Sequence, residues 1–445
     1  MIFHSRIRYL MLCRNRTYMP EYTVHKPPID ASTDNIKFTK EKLSRIITLH
    51  RPAALNALSH DMITSMHQEL KRYSKSNGIC SIIVRGAETE KVPSFCAGGD
   101  VVEKDKGVYE MRKNFFKDEY VLNSFIFNLD IPYISIMDGI TMGGGVGVSI
   151  HGAIRIATER TVFAMPETII GFFPDVGGSY FLPKLNGAFG MYLGLTGEKL
   201  KGTDVYFANI ATHFVPSAYL NDLVTRLSNV ESTDVEVFDK IIDEFRGEVD
   251  QFSYMPLLPT IEERVQAKTT HSNPIISDWA NRTLKQLNEA SPTSLAVSFH
   301  MLRNPKRTLW ESLVREYVVS QNFMKNEDFY EGVKAKLIDK TGKPKWNPSS
   351  LKDISIPMVH SYFAGEPISS IDFFGDYVKE NYSFYRLGLP KEFDLEQLIQ
   401  KYSFPGIKDA LSVIGRSCVK PGWKVYVEDI LKRRTVTRNG KLEWK

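Results

Sequence analysis

The sequence predicts an α/β fold, because short apolar runs alternate with glycine turns and with segments of helical spacing. Three such cycles lie between residues 36 and 165. The length of 445 residues suggests two or three folded units of ~150 residues each. Apolar residues make up 42% of the chain and charged residues 24%, as in globular domains. No run of ~18 consecutive apolar residues occurs, which argues against a membrane-spanning helix.

The first cycle begins with a hairpin, in which residues 36–39 and 45–49 flank a charged turn. A helix follows, with Ser59 as its predicted cap. The apolar stripe of this helix consists of Leu58, Met62, Met66 and Leu70. The run CSIIVRG then predicts a short buried strand that ends at Gly86.

The second cycle predicts a glycine turn at 97–100, a helix over 109–129 and a strand in PYISIMDG. The third predicts a turn and a helix in GITMGGGVGVSIHG, then strands in AIRIAT and TVFAM. Residues 190–345 predict mainly helices. The sequence NPSS at 347–350 marks a boundary, and the tail beyond it has helical spacing in LEQLIQKY and VYVEDILKRR.

The first twenty residues contain Arg6, Arg8, Arg14 and Arg16 and no acid. This Arg-rich, acid-free composition is typical of a mitochondrial transit peptide, although a disordered basic tail has it too. We therefore expect residues 1–20 to be a transit peptide. Without its four arginines the net charge of +5 becomes nearly neutral, so overall charge says little about binding to nucleic acid.

Two glycine turns are the first candidate site. FCAGGD at 95–100 and MGGGVG at 142–147 each follow a predicted strand, and each can expose backbone N–H groups. Two such donors that converge would form an oxyanion hole, whereas either turn alone can serve tight packing only. A dinucleotide fingerprint fails because Ile150 stands where glycine is required, and a serine-hydrolase elbow fails at His151.

Acidic residues among apolar neighbours are the second candidate site. Glu167 and Asp175 lie eight residues apart, each directly after a proline. Apolar surroundings raise the pKa of a carboxyl group and suit it to acid–base or nucleophilic work, but capping of a helix is the alternative for each. Asp118 and Glu119 lie in the middle of a predicted helix, where one of them can point inward and a solvated acid is the alternative.

Cysteine and histidine give weaker signals. The four cysteines form no Cys-x-x-Cys pair, which argues against a zinc site or a disulfide framework and favours a reducing compartment. Cys96 has no base near it in the sequence, so a buried structural role is favoured over a nucleophile. His151 and His213 stand alone among apolar residues, as core histidines do.

Six segments together resemble the enoyl-CoA hydratase/isomerase (crotonase) superfamily. These segments are RPAALNAL, SFCAGGD, GITMGGGVG, FAMPETIIGFFPDVGGSYFLPKL, LTGEKLKGTDVYFANIATHFV and DFYEGVKAKLIDKTGKPKWNP. They appear in this order and cover residues 35–350. Within the superfamily they are most similar to the branch that hydrolyses 3-hydroxyisobutyryl-CoA. The C-terminal tail is not part of the usual pattern of that branch.

The resemblance implies the architecture of three segments. Residues 35–230 would be a spiral of ββα units that binds acyl-CoA, and 231–348 a helical region that completes the hydrolase. Residues 349–445 would be a C-terminal extension of helical character. Arg51, beside the RPAALNAL segment, is a candidate for contact with the CoA phosphates.

The resemblance also implies the roles of site residues. The N–H groups of Gly99 and Gly144 would bind the thioester carbonyl oxygen. Glu167 would act as general base or nucleophile, while Asp175 and Glu119 would bind the 3-hydroxyl of the acyl group and raise the pKa of Glu167. No metal or cofactor is implied, because the oxyanion hole replaces a Lewis acid and CoA is part of the substrate.

The implied reaction is hydrolysis of 3-hydroxyisobutyryl-CoA in valine catabolism, in the mitochondrial matrix. The hydratases carry another catalytic Glu where this chain has Gly147, which favours hydrolysis over hydration. Isomerisation stays open as an alternative, because it needs only one suitably placed carboxylate and the same oxyanion hole.

A structural role is the alternative from another class. Fungal relatives in this branch are proteins of the small subunit of the mitochondrial ribosome, so the resemblance permits that role. Basic residues near the C-terminus could contact RNA phosphates, with a solvated basic terminus as the alternative. They are Lys432, Arg433, Arg434, Arg438, Lys441 and Lys445.

Overall fold

The computed structural model describes residues 33–89, 91–100, 108–262, 272–365 and 387–445, with side chains from residue 114 onward in the helix that begins at Val108. The predicted transit peptide at 1–20 lies outside these ranges. The strands of the described residues are β1 (Ile36–Glu41), β2 (Ser44–Leu49), β3 (Ser81–Gly86), β4 (Ser94–Cys96), β5 (Tyr133–Met137), β6 (Ile140–Met142), β7 (Ile154–Ala157), β8 (Val162–Ala164), β9 (Leu200–Lys201), β10 (His213–Phe214), β11 (Thr435–Arg438) and β12 (Lys441–Trp444).

The larger sheet has the strand order β1-β2-β3-β5-β7-β10. Strands β1 and β2 form the predicted antiparallel hairpin, and all other neighbours run parallel. Successive residues of β3 point to opposite faces, so that Ile82 and Val84 enter one buried cluster and Ile83 enters another. Because both faces are covered, the parallel strands are continuously apolar in sequence.

The smaller sheet has the order β4-β6-β8-β9. Strands β4, β6 and β8 run parallel, and β9 pairs antiparallel with β8. The segment that the sequence predicts as turn and helix after Gly139 therefore begins with a short strand, β6, before the helix. The carboxyl ends of the three parallel strands meet at one edge, which is where ligands bind in many parallel sheets.

The α-helices of the described residues match the predicted cycles in order. They are α1 (His60–Ser74), α2 (Val108–Phe127), α3 (Gly144–Ile150), α4 (Gly178–Phe181), α5 (Phe189–Thr196), α6 (Thr203–Phe207), α7 (Leu220–Ser228), α8 (Val235–Asp243), α9 (Leu258–Glu262), α10 (Pro274–Glu289), α11 (Pro292–Arg303), α12 (Leu309–Phe323), α13 (Glu327–Val333), α14 (Ile356–Ser361), α15 (Glu392–Lys401), α16 (Ile407–Ile414) and α17 (Trp423–Arg434).

The predicted cap of α1 is wrong in one respect. Ser59 occupies the N-cap position, but its side chain makes no capping hydrogen bond. Its hydroxyl instead donates to the carboxylate of Asp61 in the first turn. The free N–H groups of the first turn are therefore not satisfied by Ser59.

The C-terminal extension packs against the core through Tyr426 of α17. Its hydroxyl accepts hydrogen bonds from Asn186 at 2.5 Å and Asn209 at 3.2 Å, and its ring centre lies 6.1 Å from that of Phe207. The described residues of the extension form helices up to Arg434, as predicted, and the β11–β12 hairpin follows. Its attachment therefore combines apolar contact with satisfied polar groups.

A cluster of charged residues reinforces this attachment. The ammonium group of Lys420, in the extension, donates to Asp239 at 2.6 Å and lies 3.4 Å from Asp243 on the same helix α8. It also lies 3.1 Å from Nε2 of buried His213. The Lys420 side chain is only 10% exposed, so its loss would leave two shielded carboxylates without their cation.

Two arginines of the basic C-terminus are used within the fold. Arg433 pairs with Glu262 at 2.9 Å, and Arg434 pairs with the same Glu262 at 2.7 Å and with Glu392 at 3.1 Å. These pairs join α17 to α9 and α15. Both arginines are therefore committed to folding contacts, and the expectation that they contact RNA phosphates does not fit this arrangement.

No helix within the described residues is both long and apolar enough to span a membrane. The same ranges contain no group of three histidine, cysteine or carboxylate side chains suited to hold a metal ion.

We predict that K420M destabilises the fold by about 2–3 kcal/mol, because Asp239 and Asp243 lose their cation while remaining shielded. Urea denaturation measures this change. The control is K432M, since Lys432 pairs with Glu428 on the exposed face of α17 and should contribute less than about 1 kcal/mol. Equal effects of the two substitutions would contradict the account of the attachment.

Candidate active site

Three parallel strands each deliver one part of the candidate site. Strand β4 leads into Gly98 and Gly99, β6 leads into Gly143 and Gly144, and β8 leads into Glu167. Because β4 pairs with β6 and β6 with β8 in parallel, these three segments leave the sheet at the same edge. The sheet thus brings together residues that are far apart in the chain.

The two glycine turns approach each other closely. A Cβ placed on Gly144 would lie 3.1 Å from the backbone nitrogen of Gly99. The backbone N–H of Leu58 donates to the carbonyl oxygen of Gly98, and the carbonyl oxygen of Leu58 accepts from the N–H of Asp100, both at 2.8 Å. The N–H of Gly99 takes no part in this β-bridge. Gly144 is the first residue of α3, so its N–H has no acceptor within the helix. The arrangement supplies two backbone donors next to each other.

Glu119 is the acid of helix α2 that points inward. It is 2% exposed, and its Oε1 would lie 2.4 Å from a Cβ on Gly144. Only glycine fits at that position. The neighbouring Asp118 faces outward and lies 2.7 Å from Nε2 of His60. Of the two alternatives for this pair, an inward acid is therefore correct for Glu119 and a solvated acid for Asp118.

Glu167 begins a short 3₁₀ helix over Glu167–Ile170 directly after β8 and is buried. Its Oε1 would lie 3.1 Å from a Cβ on Gly143, so its carboxyl group stands beside the turn that carries Gly144. Its Oε2 is buried without a hydrogen-bond partner among the described residues. The carboxyl group therefore faces the glycine turns.

Asp175 lies in the same pocket, and its partners were not found from the sequence. The hydroxyl of Tyr120, on α2, donates to Asp175 at 2.8 Å. A further carboxyl group, Glu316 on α12, is fully buried and accepts hydrogen bonds from the loop that follows Asp175. One signal could have revealed it: Glu316 falls at helical spacing on the apolar stripe of Leu309, Leu313 and Phe323.

The electrostatics of the site follow from burying four acids together. Burial, and then the charge of Asp175, raises the pKa of both Glu119 and Glu167 well above the ordinary range. Burial and the charge of Glu316 raise the pKa of Asp175 to about 7, against the hydrogen bond from Tyr120, which lowers it. Burial likewise raises the pKa of Glu316 to about 7. The pocket therefore favours protonated carboxyl groups near neutral pH.

Gly147 faces a space that is already filled. A Cβ at this position would lie 2.8 Å from Cβ of Val176 and 2.9 Å from Nδ2 of Asn123. These distances are shorter than real Cβ contacts allow, so no larger side chain fits without moving the loop that holds Asp175. A carboxylate at position 147 is consequently excluded by the packing.

Aromatic side chains wall the site. Phe116 stacks on Phe172 with ring centres 5.2 Å apart, and Phe172 also contacts Phe323 at 5.5 Å and Phe329 at 5.0 Å. Phe115 lies against Gly99, where its ring would touch an added Cβ at 2.9 Å. Such walls exclude water and explain why the buried acids are poorly solvated.

Cys96, His151 and His213 take structural places. Burial raises the pKa of the Cys96 thiol to about 12, so Cys96 is no nucleophile. His151 is buried with Nε2 2.7 Å from the carbonyl oxygen of Val176, and His213 belongs to the ion cluster of the extension. Arg51 pairs with Asp100 at 2.7 Å.

Comparison with known proteins adds the family. A family model described as enoyl-CoA hydratase/isomerase matches residues 44–363. A solved structure of a carnitinyl-CoA dehydratase from Mycobacterium thermoresistibile superposes with a TM-score of 0.67 at 30% identity, covering 77% of this chain and 100% of that one.

Two relatives differ in how much of this chain they match. A mouse protein named 3-hydroxyisobutyryl-CoA hydrolase, mitochondrial, is 40% identical over 346 residues, which is 74% of this chain and 88% of that protein. A Neurospora crassa protein named small ribosomal subunit protein mS47 is 36% identical over 458 residues, covering 94% of this chain and 90% of that protein. Because the second match covers 94% of this chain, it includes most of the C-terminal extension at residues 349–445.

We predict that G147A destabilises the fold by about 1–3 kcal/mol, because the new methyl group collides with Val176 and Asn123. Chemical denaturation checks this. The matched control is G78A, since Gly78 is exposed with nothing within 4 Å of the added Cβ, and its effect should stay within about 0.5 kcal/mol. A G147A protein as stable as the G78A protein would show that position 147 has room for a side chain.

Proposed function

The chain belongs to the enoyl-CoA hydratase/isomerase family, and from that premise we propose that it hydrolyses 3-hydroxyisobutyryl-CoA to 3-hydroxyisobutyrate and CoA. The observation that supports this reaction most directly is the buried carboxyl group of Glu167 beside the adjacent N–H groups of Gly99 and Gly144. The 40% identity with the mouse hydrolase supports this choice of reaction and substrate. We place the reaction in the mitochondrial matrix, as a step of valine catabolism, since the hydrolase relatives are mitochondrial by name.

The first chemical requirement is stabilisation of the oxyanion. When the thioester carbonyl carbon is attacked, negative charge develops on its oxygen. The N–H groups of Gly99 and Gly144 would each donate to that oxygen, and a donor of this kind contributes about 3 kcal/mol in acyl-transfer enzymes. No metal or cofactor is needed for this step, because the two N–H donors stabilise the negative charge on the carbonyl oxygen.

The second requirement is an attacking group, and Glu167 supplies it. As a general base, its carboxylate takes a proton from water while the water oxygen bonds to the carbonyl carbon. As a nucleophile, its oxygen bonds to that carbon and a water molecule later opens the anhydride. In both routes the C–S bond breaks, the CoA sulfur leaves and takes up a proton, and the carboxylic acid remains.

The third requirement is recognition of the 3-hydroxyl. We assign this to Asp175 and Glu119, which lie in the same buried pocket as Glu167. Tyr120 already donates to one oxygen of Asp175, so the other oxygen is the natural acceptor for a substrate hydroxyl. A hydration reaction is disfavoured because Gly147, where the hydratases carry another glutamate, has no space for one.

We predict that E167Q lowers kcat for free-thiol release from 3-hydroxyisobutyryl-CoA by about 10²–10⁴-fold, since an amide neither accepts the proton nor attacks efficiently. The control is E159Q, which changes an exposed glutamate before β8, whereas Glu167 follows that strand. A folded E167Q protein with full turnover would remove Glu167 from the reaction.

We also predict that kcat/KM falls with decreasing pH already well above the ordinary pKa of a glutamate, because burial raises the pKa of Glu167 and its carboxylate becomes protonated. D175N should move this acidic limb to lower pH, since the charge of Asp175 raises the pKa of Glu167. A limb that stays in place or moves to higher pH in D175N would contradict the electrostatic coupling.

A second function is favoured by the match to mS47, which covers 94% of this chain, whereas the match to the mouse hydrolase covers 74%. We propose that the extension also docks on the mitochondrial ribosome, with or without hydrolysis at the site. Arg433 and Arg434 are engaged in close ion pairs. Arg438, which has a looser 3.8 Å pair with Glu443, and Lys441 lie on the exposed β11–β12 hairpin and are the better candidates for phosphate contact.

Co-sedimentation with mitochondrial ribosomes at low and moderate salt tests this docking. We expect binding by the wild type and its loss in R438E/K441E. R282E/K285E, an equal charge change on exposed α10, should bind as the wild type does. Absence from the ribosomal fractions at both salt concentrations would rule the function out.

A further inference from the structure

The residue after Asp175 has a strained backbone. Val176 has φ of 49°, in the left-handed region that a β-branched residue rarely adopts. Gly177 follows with φ of 85°, where glycine carries no such cost. Strain of this kind persists only where the surroundings hold it in place.

One peptide unit in this loop is held at both ends. The carbonyl oxygen of Val176 accepts a hydrogen bond from Nε2 of His151 at 2.7 Å. The N–H of Gly177, which belongs to the same peptide unit, donates to Oε2 of Glu316 at 2.7 Å. Burial lowers the pKa of His151 to about 4, so its ring is neutral and Nε2 carries the proton that it donates.

Glu316 holds the next residues as well. Its Oε1 accepts from the N–H of Ser179 at 2.9 Å and from the hydroxyl of Ser179 at 2.6 Å. The carboxyl group thus satisfies N–H groups at the start of α4, which has no capping side chain of its own. Three hydrogen bonds from α12 fix the segment that runs from Asp175 into α4.

We propose that Glu316 is a positioning residue, which with His151 clamps the Val176–Gly177 peptide and thereby aims Asp175 at the 3-hydroxyl of the substrate. The inference rests on the proposed function for the role of Asp175. Gly147 completes the clamp, because the side chain of Val176 occupies the space that a side chain at position 147 would need. Glu316 positions Asp175 through these hydrogen bonds and is not assigned a contact with the acyl group.

Steady-state kinetics of E316Q test the role. We expect KM for 3-hydroxyisobutyryl-CoA to rise by about 10–100-fold, because one amide cannot accept from all three donors, with kcat changed less than about threefold. Isobutyryl-CoA, which lacks the hydroxyl, should show no comparable rise. In the double variant D175N/E316Q, the E316Q substitution should lower kcat/KM by less than about twofold beyond the loss in D175N, since both substitutions act on the same contact with the substrate.

The matched control is D204N. Asp204 also accepts from the N–H and the hydroxyl of one serine, Ser253, at 2.9 Å and 2.5 Å, but it lies on α6. Equal losses of kcat/KM on both substrates, or fully additive losses of kcat/KM in the double variant, would show that Glu316 has a general structural role and would overturn the proposal.

Amide hydrogen exchange separates this inference from the proposed function. In E316Q the exchange of the Gly177 and Ser179 amides should speed up at least about tenfold relative to wild type and to D204N. Unchanged exchange would reject the clamp whatever the kinetics. A wild type that releases no CoA would reject the proposed function, and the exchange rates would still decide whether Glu316 holds the loop.

Discussion

The parallel register of β4, β6 and β8 is the constraint on which the rest of the structure depends. These strands are three residues long, yet their pairing sets Gly99 beside Gly144 and Glu167 beside Gly143. A shift of one residue would turn every side chain to the opposite face and separate these groups. The larger sheet and the helices around it bury this small sheet and hold its register.

The four buried carboxyl groups of the site reduce the stability of the fold. Glu119, Glu167, Asp175 and Glu316 are each at most 6% exposed, and burial raises the pKa of every one. Sharing an apolar pocket costs folding free energy whenever these acids ionise. Tyr120 and the N–H groups of the Asp175 loop offset part of that cost. The large aromatic core allows the fold to tolerate the remainder.

Local patterns predicted the hairpin and the order of strands and helices, but they left open whether an acid of α2 points inward. The resemblance selected Gly99, Gly144, Glu119, Glu167 and Asp175, which the fold brings into one pocket. The helical spacing of Glu316 indicates that it is buried, but it does not reveal its partner Gly177, which lies 139 residues away in the chain. For the same reason, the sequence does not reveal the ion pairs of Arg433 and Arg434 with distant acids.

The most direct test of the central claim is a comparison of two reactions by the wild-type protein. Free CoA is measured after addition of 3-hydroxyisobutyryl-CoA, and hydration or isomerisation products are measured after addition of an unsaturated acyl-CoA. We expect rapid CoA release from the first substrate and no hydration of the second, because position 147 has no room for a second hydratase carboxylate. Hydration or isomerisation without CoA release would contradict the central claim.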